Sequence, residues 1–193
     1  MTDLLPLVFT SGWASGINPY LVVLLTGLAG RLTDLAVPDA LTRTDVLIAA
    51  AILTAIDFVA DKVAYVDSTW DAVNTVIRPT AGTVIALLIA GDATTLEQAF
   101  LGATGGVTAF ATHVVKAGMR LGVNSSPEPA SNVVVSLLED VVVTGVIALS
   151  FVAPWVAASI AAVLLVTGLA VVITLWSVIR RRWRARRQAR STT

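Results

Sequence analysis

The sequence has no cysteine, one histidine (His113) and two lysines, Lys62 and Lys116. Without cysteine there is no disulfide, thiolate metal site or cysteine nucleophile. With a single histidine as well, zinc and copper lack their usual ligands. Charge is scarce: 13% of residues are Asp, Glu, Lys or Arg, against 56% hydrophobic, far from the balance of a soluble domain. No phosphate loop or dinucleotide fingerprint is present. Gly12-Trp13-Ala14-Ser15-Gly16 misses the G-x-S-x-G nucleophile elbow by one position and lacks its strand-turn-helix setting. The chain therefore reads as a non-enzyme with no cofactor.

What is abundant is apolar sequence in runs of roughly 20 residues, enough to cross a hydrocarbon core about 30 Å thick. Six spans are expected, at about 4–29, 46–66, 71–90, 96–121, 133–152 and 156–179. Asp67–Asp71 reads as a turn between the second and third, with Trp70 at the interface. The first span is interrupted at Gly12, Ser15, Gly16, Asn18 and Pro19, and the fourth at Gly102, Gly105 and Gly106. Broken helix at membrane depth persists only where protein or a water-filled cavity covers it, and transporters use such breaks to reach a substrate or ion.

The formal charge of zero hides an asymmetry. Arg180, Arg181, Arg182, Arg184, Arg186, Arg187 and Arg190 crowd the last fourteen residues. A basic flank marks the cytoplasmic side, which places the C-terminus inside and, with six spans, the N-terminus too. The same tail can gather anionic headgroups. It follows a span directly, so lipid rather than nucleic acid is its expected partner. Asp3 and the absence of an early basic residue argue against a cleaved signal peptide. The domain plan is one bundle, 1–179, and a basic tail, 180–193.

Spacing points to an internal repeat, 4–91 and 95–179. Gly12/Gly16 and Gly102/Gly106 are each four apart, followed by Ile17-Asn18-Pro19-Tyr20 and Val107-Thr108-Ala109-Phe110. Three spans per half make such a repeat inverted, with its site at the midplane. Glycines four apart also let helices pack closely, within one chain or in a dimer.

Ionisable groups inside spans are costly and face the bundle interior. Asp57 and Asp61 share a helix face, and Glu139 and Asp140 sit in the fifth span. His113, Lys116 and Arg120 form a cationic stripe, and Arg78 precedes Pro79. These charges are either structural ion pairs or a proton or cation path in which His113 changes charge near neutral pH. The candidate substrate- or ion-binding set is Gly16, Asn18, Pro19, Tyr20, Asp57, Asp61, Arg78, Gly106, Thr108, His113, Lys116, Glu139 and Asp140.

The segment SGWASGINPYLVVLLTGLAGR, together with 57–62, 65–71, Ile77-Arg78-Pro79 and 124–129, resembles an integral membrane family of bacteria and plants known as domain of unknown function 4126. The resemblance covers about 11–153. It implies a small multi-span membrane protein and brings no substrate and no functional residue. The reading is therefore an all-α protein of six transmembrane helices in two inverted three-helix repeats, in a bacterial inner membrane, associating as a dimer. Its expected role is transport of an ion or small polar solute, proton-coupled or not. The alternatives are a scramblase or flippase for anionic or polyprenyl-phosphate lipids, and a membrane scaffold.

Overall fold

The computed structural model describes residues 4–62, 64–123 and 129–190, and every regular element among them is helical. In order these are α1 (Leu5–Ser15), α2 (Pro19–Leu32), the single turn α3 (Asp39–Thr42), α4 (Thr44–Ala60), α5 (Ala64–Ala90), α6 (Thr95–Val123), α7 (Pro129–Val152) and α8 (Pro154–Arg190). Three stretches, Thr69–Ala90, Val133–Val152 and Pro154–Val178, are long and apolar enough to cross a membrane; α2 is a shorter apolar helix. Large apolar side chains also face outward. Ile48, Ile52 and Ile56 line one exposed stripe of α4, and Val163 and Val166 of α8 are 65% and 66% exposed. Such surfaces suit lipid rather than water.

The break in the first apolar segment is present and has a local cause. Pro19 disfavours helical geometry at the residue before it, and Asn18 is extended, with φ −150° and ψ 92°. The Asn18 side chain accepts the Leu21 N–H at 3.0 Å and so caps α2, while Pro19 occupies a first-turn position that needs no N–H donor. After the break the chain turns back. Leu4, Leu7 and Ser11 of α1 line one cavity with Thr26 of α2 and with the loop residues Leu35 to Pro38. Thus α1 and α2 form a hairpin with Gly16–Asn18 at its tip. The 11 residues of α1 rise about 16 Å, roughly half a bilayer core. Where a single interrupted span over 4–29 was expected, the chain folds into a hairpin whose two ends lie at one end of the bundle.

The remaining long helices alternate in direction. Arg31 donates to Thr44 Oγ1 at 2.6 Å, so α4 starts where the hairpin ends. Ile89, Ser150 and Pro154 line the same cavity as Leu4, which places the α5–α6 and α7–α8 turns at that end too. There Thr94 and Glu97 form a capping box that starts α6: Glu97 Oε2 accepts the Thr94 N–H at 3.0 Å, and Thr94 Oγ1 accepts the Glu97 N–H at 3.4 Å. Helices α4, α6 and α8 run away from this end, and α5 and α7 return. Leu4 and the arginine-rich part of α8 consequently lie at opposite ends of the bundle.

The fourth apolar segment is not broken: α6 is continuous over Thr95–Val123. Its glycines serve contact instead. A Cβ on Gly12 of α1 would lie 2.7 Å from Gly105 O, and one on Gly82 of α5 would lie 2.8 Å from the same oxygen. Three helices meet backbone to backbone here, which offsets the cost, about 1 kcal/mol, of glycine inside a helix. Gly12 faces Gly105 and Gly16 faces Ala109, so α1 and α6 run the same way. The expected matching of two inverted halves has no counterpart in these two segments, one folded back and the other straight.

Two further boundaries differ from expectation. Residues 67–71 are not a turn but the early part of α5; α4 ends at Ala60, where the Asp61 N–H bonds Asp57 O. Residues 180–190 continue α8 as helix. Of the expected loop 124–132, residues 124–128 lie outside the described ones, and 129–132 open α7. The main core gathers Trp13, Ala14, Ile17 and Val22 of the hairpin with Ile85, Val143, Ile147 and Ala161 from three helices around it.

Candidate functional site at the hairpin tip

The hairpin brings its tip against the charged segments of α4, α5, α6 and α7. Lys116 of α6 is buried, and its ammonium donates to Ile17 O at 3.0 Å and to Asp61 Oδ2 at 2.8 Å. Glu139 Oε2 lies 3.5 Å from the same nitrogen. Arg120, one turn further along α6, reaches Asp61 Oδ2 at 2.7 Å and Glu139 Oε2 at 3.2 Å. Two acids and two bases from three helices thus make one buried quartet. On the other side of the tip, Asn18 donates weakly to Asp140 Oδ1 at 3.5 Å.

A second group centres on Arg78, which is fully buried in α5. Its guanidinium lies 3.2 Å from Asp71 Oδ1 and 3.6 Å from Asp57 Oδ1. Trp70 Nε1 donates to that Asp57 oxygen at 2.6 Å. Arg78 Nη1 also sits 2.8 Å from His113 Nδ1. A guanidinium offers only protons, so Nδ1 accepts. The ring proton is then on Nε2, which donates to Thr75 Oγ1 at 3.0 Å, and Thr75 donates on to Asp71 O at 2.9 Å. The expectation that His113 changes charge meets this arrangement: a proton on Nδ1 would replace an accepted hydrogen bond with two cationic groups face to face.

Taken together, four carboxyl groups (Asp57, Asp61, Asp71, Glu139) pair with three cations (Arg78, Lys116, Arg120), and Asp140 meets Asn18. Asp57 Oδ2, Asp61 Oδ1 and Glu139 Oε1 are buried and have no hydrogen-bond partner among the described residues. Each belongs to a carboxylate whose other oxygen is engaged, Asp57 by Arg78 and Trp70, Asp61 by Lys116 and Arg120, and Glu139 by Arg120. Among the described residues no three His, Cys, Asp or Glu side chains converge as a metal site.

A family model described as "Domain of unknown function (DUF4126)" matches residues 5–174. The chain belongs to that family. No curated protein and no solved structure is detectably similar to it. Membership agrees with the resemblance drawn from the sequence, and it carries no activity.

Most of the sequence candidates converge. Gly16, Asn18 and Pro19 form the tip, and Asp57, Asp61, Arg78, His113, Lys116, Glu139 and Asp140 surround it. Tyr20 joins at the edge, donating to Asn74 Oδ1 at 3.3 Å. Gly106 packs on Thr83 of α5, and Thr108 is buried on α6, its carbonyl accepting the Thr112 hydroxyl at 3.0 Å. Trp70, Asp71, Thr75 and Asn74 were not among the candidates. The seven-residue spacing of Asp71 and Arg78, two helical turns on one face, was the signal for that pair. Trp70 gave none, since an interfacial tryptophan and one bonded to a buried carboxylate look alike in sequence.

Proposed function

We propose that the chain is an integral membrane protein of five crossing helices and one re-entrant hairpin that moves an ion or small polar solute. The arginines at the end of α8 would face the cytoplasm, and Leu4 with the hairpin base would face the opposite side. The observation that carries the transport reading is the hairpin tip fastened by Lys116 onto a buried cluster in which Asp57, Asp61 and Asp71 face Arg78, Lys116 and Arg120. A tip held by hydrogen bonds can shift, and each shift changes which carboxylate is compensated. Asp57, whose Oδ2 has no hydrogen-bond partner among the described residues, is the residue we assign to proton or cation coupling.

The same geometry weighs against a phosphate-binding stripe on α6. Lys116 and Arg120 are engaged by Asp61 and Glu139, and His113 by Arg78 and Thr75. An anionic headgroup would have to displace a carboxylate from each. The glycines that prompted a dimer are likewise occupied within the chain, Gly12, Gly16, Gly82 and Gly105 by neighbouring helices. The test of the transport reading is charge movement in proteoliposomes, with Asp57→Asn as the variant that removes it.

A further inference from the structure

Across α6 from Arg78 lies a space of a different character. Helices α6 and α7 stand apart, with α8 behind the gap, and the cavity between them measures about 350 Å³. That is within the range of small-molecule sites, roughly 300–1,000 Å³. Trp13, Val115, Met119, Val142, Leu165 and Val171 give it apolar walls, and Lys116 and Glu139 are its two charged lining residues. Their free valences are unequal. The Lys116 ammonium is directed to Ile17 O, Asp61 Oδ2 and Glu139 Oε2, which uses its three protons. Glu139 Oε2 receives Lys116 and Arg120, whereas Glu139 Oε1 is buried without a hydrogen-bond partner among the described residues.

The geometry points to a binding site for a single-chain amphiphile with a hydrogen-bond-donating head, a primary ammonium or a hydroxyl. The head donates to Glu139 Oε1, and the chain lies between α6, α7 and α8. An apolar cavity favours hydrocarbon in proportion to the area it covers. A buried acceptor left unpaired is destabilising, and a donor head relieves that cost. A carboxylate or phosphate head brings only like charge to Glu139. The site requires binding alone, and it stands whether or not ions move through the cluster.

The test uses the full chain in phosphatidylcholine nanodiscs with three probes: ω-bromododecylamine, ω-bromododecanol and ω-bromododecanoate. Bromine quenches indole on contact, and Trp13 is the tryptophan lining the cavity, so the wild type minus Trp13→Phe isolates its signal. The expected result is saturable quenching of Trp13 by the amine or the alcohol, about ten-fold tighter than by the carboxylate. Val142→Phe, which fills the cavity without touching charge, weakens that binding about ten-fold. As a measurement independent of Trp13, the amine or the alcohol raises the unfolding midpoint of the wild type and not of Val142→Phe. Equal binding of all three heads, no saturable Trp13 signal, or full binding by Val142→Phe each overturns the site.

Discussion

Lys116 and Ile17 are joined by a hydrogen bond of 3.0 Å between the ammonium of one and the carbonyl oxygen of the other. Ile17 lies at the hairpin tip, beyond the end of α1, where the ammonium stands in for a helical N–H as the donor to its carbonyl. The same ammonium neutralises Asp61 at 2.8 Å. One side chain therefore satisfies the backbone of the tip and the charge of α4 at once.

Replacing that side chain removes both. Lys116→Met leaves Asp61 and Glu139 with Arg120 as their shared cation and strips the Ile17 carbonyl of its donor. Breaking one member of a buried ion group costs about 3–5 kcal/mol. The expected outcome is a clear fall in the unfolding midpoint in detergent, partly restored in Lys116→Met/Asp61→Asn. No recovery in the double variant would mean that the two residues do not act on each other.

Close helix contact gives a second expectation. Gly105→Ala places a methyl against Gly82 O and Ala86 at the crossing of α1, α5 and α6. Overpacking of this kind costs about 1–3 kcal/mol. Gly145, by contrast, has nothing within 4 Å of the position of an added Cβ. Gly145→Ala is expected to be neutral or stabilising by up to about 1 kcal/mol, since alanine is the better helix former. Thermal unfolding of the two variants side by side checks this.

Asn18 has two jobs that a pair of substitutions separates. Asn18→Ser keeps an oxygen to cap α2 and loses the contact with Asp140. Asn18→Asp keeps the cap and sets a carboxylate about 3.5 Å from Asp140 Oδ1. Cap loss alone is worth about 1 kcal/mol. The aspartate variant is expected to be the less stable of the two at neutral pH, and the gap narrows in acid as the pair takes up a proton. Midpoints measured at two pH values decide it.

The hairpin makes a topological prediction that the absence of cysteine makes easy to read. Leu4→Cys and Asp34→Cys are expected to react with an impermeant maleimide from one side of the membrane, and Arg181→Cys from the other. Labelling of Leu4→Cys from the same side as Arg181→Cys, with Asp34→Cys labelled from the opposite side, would show that the first apolar segment crosses, as the sequence alone led one to expect.

Where sequence and structure part company is instructive. The break at Asn18-Pro19 was legible because proline restricts its predecessor and asparagine caps a helix. The direction taken afterwards was not, since a kinked span and a hairpin begin with the same residues. What decides between them is the packing of Thr26 and Leu35 beside Ser11 and Leu4, a tertiary contact. The charged residues were legible from their rarity in apolar runs. Asp71 and Trp70 were missed because Asp67-Ser68-Thr69-Trp70-Asp71 has the composition of a turn, whereas in α5 Asp71 pairs with Arg78 along the same helix and Trp70 bonds Asp57 of α4. The glycines of α6 were visible as a pattern, but whether they break a helix or admit a neighbour depends on Gly12 and Gly82, which lie far away in sequence.

The measurement closest to the central claim is the transient current of oriented proteoliposomes on a solid-supported membrane, driven by gradients of protons, small cations, anions and polar metabolites. The account predicts a current in the wild type that is lost in Asp57→Asn, with that variant folded and inserted in the same orientation. A current of unchanged size in Asp57→Asn, or no current from the wild type for any driven species, would contradict it.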